Sequence, residues 1–225
     1  MMNEKPVYLL AGGPGSDRAA MASLLSRAFG PAQKPQVAYI GAANGDNMVF
    51  HMLMKALLMQ AGAGKVVFVR LAKEKIRVDD VKRILSSSDI IFLAGGEVED
   101  GMVWLRRHGL VAFLKELYDG NKQFVGMSAG SIMLGSHWVR WENPDDAATA
   151  ELFDCIGLVP FIFDTHAEDE DWIELKTALK LMGNGASGYA IPSGGAVSAD
   201  SRGVVNVEKV FLTYVNDNGE ILYRE

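Results

Sequence analysis

The residues that could do chemistry lie in Phe124-Val125-Gly126-Met127-Ser128-Ala129-Gly130-Ser131, an apolar run followed at once by Gly-x-Ser-x-Gly. A serine between two glycines, with a strand before it and a helix after it, is the context of a nucleophile elbow: the glycines make room for a sharp turn and the hydroxyl stands up at the strand's end. The chemistry would be acyl transfer, with Ser128 as nucleophile. The oxyanion of its tetrahedral intermediate would meet the Ala129 N–H, the first amide of the following helix, and a second amide from a neighbouring loop. Gly96, in Gly95-Gly96-Glu97, is the candidate for that second donor. The plainer reading is a glycine-rich packing turn around a buried serine.

A hydroxyl at its free pKa attacks poorly, so a histidine must come within hydrogen-bond reach. Of the four histidines, His51 and His108 fall inside helical patterns and His137 lies in an aromatic stretch close behind the serine. His166 follows the apolar segment Leu158-Val159-Pro160-Phe161-Ile162-Phe163 and falls on a loop, where functional side chains concentrate, which makes it the candidate base. The histidines have no i, i+4 pair and no GxxxxGK[ST] is present, so neither a metal nor a cofactor is expected. Gly12-Gly13-Pro14-Gly15-Ser16 invites a dinucleotide reading, but GxGxxG is not satisfied because Arg18 stands where the last glycine belongs; a tight strand-to-helix turn is the better reading. Met48, Met52, Met54 and Met59 read as core filler. The segment from Ser136 to Pro144 reads either as a wall over the pocket or as an edge strand plus turn. Its Arg140 would hold a substrate carboxylate or, more simply, an ion pair.

Short runs rich in valine, isoleucine and aromatics alternate with stretches of helical period, the signature of a parallel sheet covered on both faces. Strands are expected at Val7 to Ala11, Gln36 to Ile40, Val66 to Leu71, Ile90 to Ala94 and Gln123 to Met127. Helices are expected around Met21 to Phe29, around Phe50 to Leu58, and as one element from about Gly101 to Tyr118. Beyond residue 185, Asp200-Ser201-Arg202-Gly203 and Asn216-Asp217-Asn218-Gly219 read as hairpin turns. The expected fold is α/β: one doubly wound domain over residues 1–225 with a mostly parallel sheet, helices on both faces and C-terminal antiparallel hairpin strands. Ligands of such a sheet sit beyond the carboxyl ends of its parallel strands.

Twenty-eight acids against 22 bases give a net charge of −6 over 225 residues, which argues against nucleic acid and anionic membrane surfaces as partners. A small peptide-like substrate fits better. The single cysteine, Cys155, cannot close an internal disulfide, the N-terminus has no signal-peptide pattern, and no apolar run is long enough to span a bilayer. A cytoplasmic protein is expected. The oligomeric state is left open, a homodimer included.

On these motifs the sequence resembles the peptidase S51 family, which contains aspartyl dipeptidase (peptidase E) and cyanophycinase and is related to the class I glutamine amidotransferase fold. The resemblance runs from about Val7 to Val197. It rests on Ile91-Phe92-Leu93-Ala94-Gly95-Gly96, the elbow at 126–131, the segment from Leu158 to His166, and Gly188-Tyr189-Ala190-Ile191-Pro192-Ser193-Gly194. It implies a serine-type hydrolase that cleaves a small peptide or isopeptide bond through an acyl-enzyme, with Ser128 as nucleophile, His166 as base, and Gly96 and Ala129 as oxyanion donors.

Two departures bear on what the resemblance carries over. Family members place a base-orienting glutamate where this chain has Ser193. A hydroxyl there can accept from the imidazole but cannot stabilise an imidazolium as a carboxylate does. Asp164, Glu168, Glu142 and Asp145 are the acids that could stand in; without one, the chain would be a weakened or silent member that binds a small metabolite or partner. The segment after the histidine, Ala167-Glu168-Asp169-Glu170-Asp171, also lacks the family's arginines, so aspartyl specificity does not carry over. If that acidic run faced the site it would favour basic substrates; otherwise it is a solvated helix start. An amidotransferase-like reaction is a third reading, weakened because the elbow carries serine instead of cysteine.

Overall fold

The computed structural model describes residues 5–12, 16–30, 34–143 and 146–224. Five strands, β1 (Val7–Leu10), β2 (Gln36–Ile40), β3 (Lys65–Val69), β4 (Ile90–Leu93) and β5 (Gln123–Met127), alternate with α1 (Arg18–Phe29), α2 (Met48–Gln60), α3 (Val78–Ser87), α4 (Val98–Arg107), α5 (Leu110–Asp119) and α6 (Ala129–Leu134). A hairpin of β6 (His137–Trp141) and β7 (Ala150–Asp154) follows. The chain then runs through β8 (Ile162–Thr165), α7 (Ile173–Met182), β9 (Ser187–Ile191), β10 (Ala196–Asp200), β11 (Gly203–Glu208), β12 (Leu212–Asp217) and β13 (Glu220–Arg224).

The central sheet has the order β11-β10-β1-β5-β4-β2-β3. Strands β1 to β5 are mutually parallel, and at one edge β10 pairs antiparallel with β1 and β11 antiparallel with β10. Strand alternation sends successive side chains to opposite faces. Val37 and Tyr39, Ile90 and Phe92 pack with Leu24, Leu25 and Leu58 of α1 and α2. Ala38 and Ile40, Ile91 and Leu93 pack with Leu85, Met102, Leu114 and Ile132 of α3 to α6. Helices therefore cover both faces, as the sequence pattern predicts.

Three expectations need correction. The helix expected from Gly101 to Tyr118 is two, because Gly109 takes a left-handed φ of 63° and the chain restarts at Leu110. Helix α3 falls in a stretch with no expected element, and α7 begins at Ile173, just past the acidic run read as a helix start. Both C-terminal hairpins form, but only the first extends the central sheet. The second joins β9 and β8 in a separate sheet of order β13-β12-β9-β8, whose own core contains Trp172, Leu175 and Leu179 around α7. The Ser136 to Pro144 segment supplies β6, paired only with β7, so the edge-strand reading holds for its described part. No helix among the described residues is long and apolar enough to cross a membrane.

Candidate active site

Ser128 sits where β5 ends and α6 begins, with φ 55° and ψ −126°. A non-glycine residue held in that region stores strain, and the surroundings must over-determine it. They do so with backbone and side chain together. The Ser128 N–H donates to Leu10 O at 2.9 Å, tying the elbow to β1. The buried Ser131 hydroxyl donates to Leu10 O and accepts the Leu10 N–H, each at 3.0 Å. A Cβ on Gly130 would lie 2.1 Å from Leu93 O, so only glycine lets α6 seat this close to β4.

The second chain segment arrives from the smaller sheet. His166 follows β8 with φ 46°, and its N–H donates to Ile191 O at 3.0 Å, which fixes the residue at the carboxyl end of β9. Its Nε2 then lies 2.7 Å from Ser128 Oγ, a hydrogen bond between residues 38 positions apart. None of the other histidines has such a contact. His51 is buried and stacks on Phe68 at 4.0 Å, and burial pushes its pKa down. His108 Nε2 is 2.9 Å from Leu71 O, and His137 pairs with Asp154 at 3.4 Å.

Gly96 stands on the loop after β4, facing the 3-10 turn Ala42–Asn44. Its φ is 144°, and a Cβ there would fall 2.1 Å from Ala43 O, so the approach requires glycine. The Glu97 N–H donates to Ala43 O at 2.7 Å, and the Asn44 side-chain amide donates to Gly95 O at 2.8 Å. Asn44 thus positions the loop, a role the sequence reading did not assign. Among the described residues neither the Gly96 N–H nor the Ala129 N–H has an acceptor, so both are free to receive one from a ligand.

No hydrogen bond joins Ser193 to the imidazole. Its N–H donates to Glu168 Oε1 at 2.5 Å and its hydroxyl to Glu168 Oε2 at 3.2 Å. The turn carrying it is anchored to β1 through the Gly194 N–H on Ala11 O at 2.8 Å. Partial desolvation pushes the Glu168 carboxyl up. The Ser193 amide, its own amide, the Ser193 hydroxyl and the charge of His166 outweigh this and hold the pKa below the ordinary value. Of the acids named as stand-ins, Asp164 is buried and receives the Thr165 N–H, Glu142 is exposed beyond β6, and Asp145 lies outside the described residues. Glu168 is the one whose carboxyl is held down in part by the charge of His166, and no hydrogen bond joins it to the ring.

Ser128, His166, Gly95 and Gly96 line a pocket of about 580 Å³ together with Met21, Phe50, Leu53, Met54 and Leu57, which form an apolar wall. Of the α2 methionines read as core filler, Met54 packs against the core and also lines the pocket, while Met48, Met52 and Met59 are exposed at 45%, 58% and 43%. The available signal was α2 itself, Met48-Val49-Phe50-His51-Met52-Leu53-Met54, which is apolar on more faces than one core contact needs. The acidic run after His166 does not line the pocket; it forms an exposed 3-10 turn at Glu168–Glu170, and Asp171 pairs with Lys176. Arg140 pairs with Glu99 at 2.7 Å and with Glu151, so the ion-pair reading applies to it. Cys155 is buried, and burial pushes its thiol up to about 12. Gly12 and Ser16 border the pocket, with residues 13–15 outside the described set. No group of acids, histidines and cysteines suited to a metal ion occurs among the described residues.

The class this defines is an α/β protein with a serine at a strained strand-to-helix elbow and a histidine delivered to it from a second sheet. The sequence model of peptidase family S51 matches residues 8–207, and the chain belongs to that family. It is 30% identical over 88 residues to peptidase E of Shewanella denitrificans and 30% over 90 residues to peptidase E of Shewanella amazonensis. Those alignments cover 39% and 40% of this chain, and 37% and 38% of the relatives. The fold is shared with a candidate peptidase E protein from Listeria monocytogenes EGD-e, at TM-score 0.68, 18% identity, and coverage of 92% of this chain and 99% of that one. It is also shared with a peptidase from an acI-B1 Actinobacterium, at TM-score 0.66, 16% identity, and 99% of both chains.

Proposed function

We propose that this chain is a single-domain, cytoplasmic serine-type hydrolase that cleaves a small peptide or isopeptide bond through an acyl-enzyme. One observation carries the reading: Ser128 Oγ and His166 Nε2 are 2.7 Å apart at a backbone geometry that strains the serine outward. His166 takes the hydroxyl proton as Ser128 attacks the carbonyl, then returns it to the leaving amine, and water reverses the sequence to release the acid. The amides of Gly96 and Ala129, which have no acceptor among the described residues, receive the oxyanion. The Glu168–Ser193 pair replaces the family's glutamate: the carboxylate favours the transient imidazolium electrostatically, and Ser193 holds the carboxylate in place. No metal or cofactor enters the scheme.

A second reading, a weakened or silent member, draws on a specific observation: among the described residues no carboxylate is hydrogen-bonded to the His166 ring. A fluorophosphonate probe separates the two. The proposal expects labelling of the parent protein that disappears in Ser128→Ala. A folded parent that stays unlabelled between pH 6 and 9 leaves the silent reading.

A further inference from the structure

The pocket beside Ser128 points to a substrate class, and this inference rests on the acyl-enzyme reading above. We infer that the substrate is a short peptide with a bulky apolar side chain next to the scissile bond and a free carboxylate. The apolar side chain is received by α2 and the carboxylate by Arg18.

The apolar lining of the pocket that holds the serine comes from α1 and α2, as Met21, Phe50, Leu53, Met54 and Leu57, and Met127 of β5, next to Ser128 in the chain, adds to it. These are flexible or aromatic apolar groups that fill around hydrocarbon and offer no hydrogen bond to a polar one. An aspartyl or lysyl side chain pressed against them would give up its water without a partner, which is strongly unfavourable. A leucyl, methionyl or phenylalanyl side chain would instead leave water for a matching surface. No acid among the described residues lines the pocket, so nothing there would select an amine.

Arg18 is the only permanently charged side chain among the described lining residues. It is the first residue of α1, is exposed, and has no ion-pair partner among the described residues, unlike Arg140 with its two glutamates. A guanidinium left open at the edge of an apolar pocket suits the planar carboxylate of a peptide terminus, which it can hold with two parallel hydrogen bonds. Because the serine and Arg18 share one pocket of about 580 Å³, a free terminus must lie within a residue or two of the bond that is cut. Long chains are excluded on the same ground.

The test is a panel of dipeptides X-Ala and Ala-X, with X as Leu, Met, Phe, Asp or Lys, assayed with the full chain. In at least one series the apolar members should exceed both Asp and Lys by about tenfold or more in kcat/KM. Fastest cleavage of Asp or Lys peptides, or equal rates across both series, overturns the inference. Leu53→Asp, at a position 58% exposed and therefore tolerant of change, should raise KM for the apolar peptides about tenfold and leave kcat unaltered. Arg18→Gln should lower kcat/KM about tenfold for free-acid peptides and leave their C-terminal amides unaffected; equal losses on acid and amide would remove Arg18 from recognition. Calorimetric binding of the same panel to Ser128→Ala examines the pocket without turnover. Apolar preference there with no fluorophosphonate labelling of the parent keeps the substrate class and discards the acyl-enzyme; labelling without apolar preference does the reverse.

Discussion

Asp164 and Glu168 lie two residues on either side of His166, and the fold gives them opposite environments. Asp164 lies within β8 at 3% exposure; burial, with the Glu174 charge adding to it, pushes its carboxyl up to about 7 despite the Thr165 and Leu175 amides. Glu168 is exposed, and two donors from Ser193 keep it ionised below the usual carboxylate range. The comparison separates nearness from function: an acid adjacent to a histidine in sequence serves it only if its surroundings keep it charged.

The largest effect expected from breaking this comparison is at the histidine itself. His166→Ala should lower kcat by about 10⁶, the scale at which removing one member of a nucleophile–base unit removes the whole. In that background Glu168→Gln should cost nothing further, since Glu168 works through the imidazole. A double-mutant cycle that gave additive losses would show Glu168 acting elsewhere.

Asp164→Asn comes next, and it should act on stability alone. The unfolded carboxyl ionises near pH 4 while the folded one stays protonated to about 7, so the parent's unfolding free energy should fall as pH rises across that window. The Asp164 contribution should be flat below about 4 and above about 7, with a total loss of roughly 4 kcal/mol between them. Urea denaturation at pH 4, 6 and 8 should show that decline in the parent and its attenuation in Asp164→Asn, with kcat changed less than about twofold. Retention of the full slope in the variant would place the titration on another group.

Glu168→Gln should reduce kcat about tenfold to a hundredfold with KM nearly unchanged, less than loss of a hydrogen-bonded triad acid, because the charge acts through space from an exposed position. Its own contribution to stability has the opposite sign from that of Asp164: a lowered carboxyl stabilises the fold above its unfolded pKa, and that contribution is lost as pH falls from there through the lowered folded pKa. The smallest change belongs to Ser193→Ala, which removes the 3.2 Å hydroxyl bond and leaves the 2.5 Å amide bond. A two- to fivefold loss in kcat is expected, about 1 kcal/mol or less. A larger loss would mean that the hydroxyl reaches the imidazole directly.

Much of this arrangement was legible in the chain because it is local. The β5 run ending in Gly126-Met127-Ser128-Ala129-Gly130 specifies strand, bend and helix within a few residues, and the hairpins at Asp200 to Gly203 and Asn216 to Gly219 carry their turn chemistry in their own side chains. The single helix expected at Gly101 to Tyr118 failed for a comparable reason. Periodicity continues across His108-Gly109, while the break is one glycine's backbone angle. Helix α3 buries Val81 and Leu85 on a narrow stripe, a weak signal beside its many charges.

By itself the sequence determined the alternation that builds a parallel sheet, the strained serine turn, and the choice of His166 over its three competitors by loop position. Only the tertiary structure decided that β8 and β9 form a separate sheet whose ends bring His166 to Ser128 across 38 residues, and that Glu168 meets Ser193 across 25. It also decided that α2 turns part of its apolar surface toward the site, where composition alone read filler. The physical reason is that turns and periods are set by short-range sterics and hydrophobic pattern. Which acid stays ionised, and which apolar face remains open to a ligand, depends on desolvation by groups that are distant in the chain and become neighbours only in the folded molecule.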